Sequence, residues 1–168
     1  AEIAMHASLT GHLVFSTIHT NDASGTIPRL VDLGIKPQTI APAINAAMGQ
    51  RLLRKLCESC KISNPIPTNI LGKIKKEIDP IREEFKLTDF TEKSTIHFPS
   101  KCDKCNNTGY KGRVGVYEIF KISKDMENLI MTSPAISAIK DLAVAEGMTT
   151  MMQDGILKLI QGITSWEE

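Results

Sequence analysis

The residues of this sequence best suited to chemistry are four cysteines, Cys57-Glu58-Ser59-Cys60 and Cys102-Asp103-Lys104-Cys105, two CxxC pairs separated by residues 61–101. Each pair sets two sulphurs on one tight turn. Two such turns face to face supply four soft ligands at the corners of a tetrahedron, the coordination of a closed structural Zn²⁺ site. The competing uses of these thiols fit less well. A secreted disulfide framework is a short, cysteine-dense chain, whereas here four cysteines are spread over 168 residues and the sequence does not open on a charged-then-apolar leader. A redox CxxC needs one pair that opens a helix after an apolar strand, and neither pair does so. Cys57, Cys60, Cys102 and Cys105 are therefore expected to hold a structural Zn²⁺ that clamps the intervening segment at its neck.

The second candidate stretch is Gly11-His12-Leu13-Val14-Phe15-Ser16-Thr17-Ile18-His19-Thr20-Asn21-Asp22. Its apolar, β-branched centre, residues 13–18, predicts a strand buried on both faces of a parallel sheet. His12 opens that strand, and His19 ends it with Thr20, Asn21 and Asp22 behind. Ligands of open parallel sheets sit outside the carboxyl ends of the strands, where these residues could sense a phosphate or its water. A complete nucleotide machine needs more. The sequence contains no G-x-x-x-x-G-K-[ST] loop, and Gly109, Gly112 and Gly115 precede a strand instead of opening a helix, so they cannot cradle a phosphate. Alone, the chain is expected not to hydrolyse nucleotides.

The elements that must position these groups follow from periodicity. A helix is expected over residues 1–9 with Ile3, Met5, Ala7 and Leu9 as its apolar members, then the strand at 13–18. Asn21 or Asp22 can cap a helix running to Leu33, with Pro28 making its start less regular. Pro37 suits the first position of another helix reaching Gly49, with Ile40, Ile44, Ala47 and Met48 inward and Pro42 as a kink, and an extended segment follows at 50–56. Ile70, Leu71, Ile74, Ile78, Ile81 and Phe85 recur at helical steps, broken at Asp79-Pro80, with Lys73, Lys75, Lys76, Arg82, Glu83 and Glu84 on a solvated face. A strand of alternating character is expected at 114–120. Helices follow from Ser123 to Met131, from Ser133-Pro134 with Ile136, Ile139, Leu142 and Ala143 inward to Gly147, and over 150–161 with Met152, Ile156, Leu159 and Ile160 buried. Helix, strand, helix, helix, strand is the order of part of an α/β layer.

Composition bounds the function. With 42% apolar residues, 23% charged residues and a net charge of +1, the sequence is that of an ordinary globular protein. A zinc-ribbon module for protein or nucleic acid is the alternative reading of the cysteines. Near-neutral charge and 5% aromatic residues argue against its nucleic-acid form, so no nucleic-acid partner is expected. No apolar run approaches the roughly 20 residues needed to span a bilayer, and a cytoplasmic location is expected. The sequence starts without methionine inside an apolar periodic stretch and stops at Ser165-Trp166-Glu167-Glu168, a capping-box spacing with no helix after it, as expected of part of a longer chain.

Three stretches make the chain resemble the hexameric ATPases of type II secretion and type IV pilus assembly, the GspE/PulE/PilB-like family. They are Ala1-Glu2-Ile3-Ala4 with residues 9–22; Gln50-Arg51-Leu52 through Cys60; and Cys102 through Gly109-Tyr110-Lys111-Gly112-Arg113-Val114-Gly115-Val116-Tyr117-Glu118. Residues 147–151 and Asp154-Gly155 are also similar to that family. The resemblance implies an α/β fold: the carboxy-terminal part of a RecA-like P-loop ATPase core with an inserted tetracysteine zinc-binding subdomain and a helical C-terminal part. The corresponding divisions are 1–56, 57–105 and 106–168. It also implies that His12 and His19 belong to a histidine box that lines the nucleotide site and couples the γ-phosphate to subunit movement, and that the four cysteines are the family's metal motif. The ATP- and Mg²⁺-holding motifs are expected upstream, in the full-length parent. The parent is implied to be a homo-hexamer at the cytoplasmic face of the bacterial inner membrane, driving an inner-membrane platform protein. Pilus-retraction ATPases share the histidines without the cysteines, which favours the secretion and pilus-extension branch.

Overall fold

A computed structural model describes residues 1–81, 83–85, 87, 90–91 and 93–168. In chain order its elements are α1 (Glu2–Leu9), α2 (Thr26–Asp32), α3 (Pro37–Ala43), β1 (Ala46–Leu56), β2 (Ile62–Pro65), α4 (Thr68–Ile78), a 3₁₀ turn at Asp79–Ile81, β3 (Thr95–Phe98), a 3₁₀ turn at Asp103–Cys105, β4 (Tyr110–Lys121), α5 (Lys124–Met131), α6 (Ile136–Ala145) and α7 (Met151–Ile160). Strand β1 pairs with β4, and β2 pairs antiparallel with β3 in the register Ile62 to Phe98, Ser63 to His97, Asn64 to Ile96 and Pro65 to Thr95. The chain divides into two compact units, residues 1–50 with 117–150, and residues 51–116 with 151–168. The division passes through β1 and β4. Among the described residues no helix is long and apolar enough to cross a membrane.

The first unit is built on Ile27, Leu30, Ile40, Phe120, Met126, Ile130 and Ile139, with Ala23, Ala41, Ala47 and Ala143 filling between them. Helix α5 starts where a cap was expected: the Ser123 hydroxyl accepts the Met126 N–H at 3.0 Å. Pro28 is the third residue of α2, where backbone N–H groups have no partner inside the helix, so its missing donor costs nothing. In α6, Ile139 and Ala143 are buried as expected, whereas Ile136 is exposed. Gly147 follows at φ 96°, the left-handed conformation that stops a helix.

Two expectations for this unit are overturned. Residues 13–18 are not a buried strand: they adopt no regular structure, with Leu13 81% and Phe15 88% exposed. Strand stability comes from pairing, and among the described residues no strand lies beside this run. The α3 helix stops at Ala43 instead of Gly49 because Pro42 removes a helical hydrogen bond one residue earlier, and the strand ladder claims residues 46–56. The apolar residues of α1 are likewise not buried.

The second unit packs Leu71, Ile74 and Ile78 of α4 with Ile66, Ile81, Phe90, Ile96 and with Ile156, Leu157 and Leu159 of α7. Met152 and Phe85, expected inside, are exposed. Arg82, expected on the solvated face, lies outside the described residues. The break at Asp79-Pro80 is present, as a 3₁₀ turn over Asp79–Ile81. Strands β2 and β3 have no counterpart in the sequence reading.

Candidate metal centre

Strand β1 ends at Leu56, and the chain turns at once: the Cys57 carbonyl accepts N–H bonds from Cys60 (3.1 Å) and Lys61 (2.9 Å). The second pair turns in the same manner. The Cys102 carbonyl accepts from Cys105 (3.3 Å) and Asn107 (3.0 Å), after which Asn106 and Asn107 both take positive φ, 52° and 58°. Asparagine tolerates that conformation better than most side-chain-bearing residues. The two turns are joined by the Cys57 N–H donating to the Gly109 carbonyl at 2.9 Å.

The result is a compact sulphur cluster. Cys57 Sγ lies 3.9 Å from Cys102 Sγ, Cys60 Sγ 3.8 Å from Cys105 Sγ, and Cys102 Sγ 3.7 Å from Cys105 Sγ. All four lie within 4.8 Å of one another. A tetrahedron with Zn–S bonds of about 2.3 Å has edges of roughly 3.8 Å, so these separations are those of a metal cage. The thiols are free and not disulfide-bonded. Cys57 and Cys105 are buried and the other two half-buried. Four sulphurs close the coordination sphere with no position left for a substrate, so the cluster could hold a metal ion as a structural element and is compatible with zinc.

The surroundings prepare the sulphurs unequally. Burial pushes the Cys105 thiol up, but the Gly109 N–H, 3.3 Å from its Sγ, together with the Cys102 backbone more than offsets this and holds it at about 6. For Cys60, burial comes first and the neighbouring thiols add to it, pushing it up to about 12. One ligand is thus pre-ionised near neutrality, while another gives up its proton only to a metal. The N–H···S bond also fixes the direction of the sulphur lone pairs and offsets negative charge on the cage. Gly109 is required for it: φ is 80°, and a Cβ there would lie 2.6 Å from Pro99 Cβ and 2.9 Å from the Ser100 carbonyl. Sequence reading set Gly109 ahead of a strand but missed this role; a glycine four residues beyond the second CxxC was the available signal.

The two histidines are placed differently. His12 Nδ1 is 3.1 Å from the Thr10 hydroxyl and 3.3 Å from the Ala7 carbonyl, so its ring is tied to the end of α1. His19 is exposed. Behind it the chain is fastened: Thr20 Oγ1 donates to the Asp22 carbonyl at 2.9 Å, Asp22 Oδ1 accepts the Gly25 N–H at 2.8 Å, and the Ala23 N–H donates to Glu118 Oε1 at 2.7 Å. Glu118 is the other residue sequence reading passed over. Its signal was parity, since Val116, Glu118 and Phe120 share the buried face of β4.

Together the cysteine cage, the histidine-bearing segment and the mixed α/β architecture define a class, and the chain belongs to it: the family described as Type II/IV secretion system protein matches residues 1–168. Among its relatives, the Type IV pilus assembly ATPase PilB of Pseudomonas aeruginosa is 39% identical over 171 residues, covering 100% of this chain and 28% of that protein. The Type II secretion system protein E of Pectobacterium carotovorum is 38% identical over 168 residues, covering 100% and 31%. PilB of Thermus thermophilus is 37% identical over 171 residues, covering 100% and 18%. The chain spans less than a third of the length of these relatives.

Proposed function

We propose that this chain is the carboxy-terminal part of a hexameric ATPase that drives protein secretion or pilus assembly. Hydrolysis itself belongs to ATP- and Mg²⁺-binding motifs outside these residues, and the chain alone is inactive. The observation that supports this reading is the family match along the whole chain, joined to a tetracysteine cage with metal-ligand spacing.

In this reading Zn²⁺ is held by Cys57, Cys60, Cys102 and Cys105 and supplies folding energy only. The segment 57–105 is the metal-held lobe, 1–56 carries the histidines of the ATPase core, and 106–168 is the returning strand with the helical end. His12 and His19 take part in the response to the γ-phosphate. His19 reaches the nucleotide as a hydrogen-bond donor from an exposed segment, and His12 steadies the start of that segment through Thr10 and Ala7. The lobe passes movement to an inner-membrane platform protein, which places the machine at the cytoplasmic face of that membrane.

The test is ATP hydrolysis by this chain beside the same chain extended upstream, with zinc measured in both. The expected result is about one Zn per chain in each and hydrolysis in the extended protein alone. An extended protein that binds no nucleotide overturns the proposal and leaves a metal-ribbon interaction module as the reading.

A further inference from the structure

Among the described residues Glu118 is the one Asp, Glu, Lys, Arg or His side chain that is buried, at 4% exposure. It lies on the inward face of β4, where an apolar residue would cost no desolvation. A buried carboxyl is weak as a source of stability, because the charge must be recovered through the bonds it makes. Here one of those bonds is specific and long-range: Oε1 accepts the N–H of Ala23, 95 residues earlier, at 2.7 Å.

The approach is built from both sides. Gly49 of β1 lies against the bond, and a Cβ at that position would meet Ala23 N at 2.9 Å, Glu118 Cγ at 3.0 Å and Glu118 Oε1 at 3.2 Å. Ala23 and Ser24 are completely buried. On the other side of Ala23, residues 12–20 have no regular structure and are largely exposed. The Glu118–Ala23 bond is therefore the fixed end of the segment that carries His19. His19 is four residue steps from the anchor, over which the chain can span at most about 14 Å, so this anchor bounds where His19 can reach.

We infer that Glu118 is a positioning residue: through the Ala23 amide it holds the His19–Asp22 segment where it can respond to the nucleotide, and Gly49 is kept small to let it do so. This rests on the proposed ATPase reading. It differs from a packing role in that Glu118 acts through His19 and leaves nucleotide binding largely alone.

The test is a double-mutant cycle in the full-length protein, measuring ATP hydrolysis and thermal stability for Glu118→Met, His19→Ala and their combination. Each single change is expected to lower kcat by about tenfold to a hundredfold with KM for ATP little changed, as for a misplaced functional group. The double variant should be no slower than His19→Ala alone, while its Tm falls by the increment seen for Glu118→Met alone. Glu118→Gln, which keeps an acceptor oxygen at the same reach, should recover most of the lost kcat. Should Glu118→Met fail to fold, Gly49→Ala, whose Cβ would press on both the Ala23 amide and the Glu118 side chain, drives the two apart without removing either, and the same cycle is run with it. Multiplicative losses in the double variant, or a fall in Tm with kcat unchanged, overturn the inference alone. An unaffected kcat in His19→Ala overturns the histidine reading and the inference with it.

Discussion

Removing the metal is the perturbation whose size the structure sets most directly. A metal held by the four sulphurs would tie residues 57–60 to residues 102–105 and so close a loop over residues 61–101. Treated as a cross-link, closing a loop of that size is worth about 4 kcal/mol through the entropy of the unfolded chain. Full zinc-binding energies of at least about 10 kcal/mol apply to fingers that have no other core. This lobe has one, since Ile66, Leu71, Ile74, Ile78 and Ile96 pack with Leu159 and its neighbours. The loop-closure figure is thus the appropriate lower bound. For a chain of 168 residues each kcal/mol moves Tm by about 2–4 °C, giving a fall of about 8–16 °C on metal removal. The assay is calorimetry of the zinc-loaded protein and of protein refolded from denaturant with a chelator, with hydrogen exchange read at Cys57, Lys61, Asn107 and Gly109. Those amides should lose protection first, and the buried face of α4 last. Equal Tm values for the two forms would falsify the view that the metal holds the neck.

Three further outcomes follow from the same geometry. Cys105 is held at about 6, below its ordinary value, so its proton competes with zinc only in acid; the slope of log zinc affinity against pH should fall by about one proton as pH rises through 6, while the Cys60 proton, held to about 12, keeps affinity rising to pH 9. In the metal-free chain, stability contributed by the Cys105 thiolate is present above the unfolded thiol value and is lost as pH falls through 6, readable as Tm against pH. Gly109→Ala places a Cβ 2.6 Å from Pro99 Cβ at a φ of 80°, so it should lower both zinc affinity and Tm, by about 1–3 kcal/mol in stability; a competition assay with a chromophoric chelator checks it.

The cage was legible because CxxC is a local statement: two thiols on one turn, fixed by short-range geometry. Helix α5 was legible for the same reason, its Ser123 cap lying three residues from the amide it accepts. What failed was pairwise. Residues 13–18 have strand composition, but a strand exists only beside another, and composition does not say whether one is present. Residues 44–48 have helical apolar spacing, yet pairing of β1 with β4 outweighs that preference once Pro42 has weakened the helix. Strands β2 and β3 are four residues each, and β2 is exposed throughout, so neither carries a periodic signal to read.

The same distinction separates the two anchors of this chain. Sulphur ligands announce themselves because few other uses of four cysteines at this spacing survive comparison. A carboxyl that accepts one backbone amide does not, because glutamate in a strand is ordinary unless its parity is counted. Counting it matters: β4 alternates Val116, Glu118 and Phe120 inward, and an acidic residue in that row must have a partner able to offset its desolvation. One partner is the amide of Ala23, and the smallness of Gly49 is what allows the approach. Each unit thus fastens residues far apart in sequence by a polar contact beside a glycine. In one the contact is the sulphur cage with Gly109, and in the other it is the Glu118 carboxyl with Gly49. Because the two use different residues and different chemistry, loss of the metal should leave the Glu118–Ala23 bond in place.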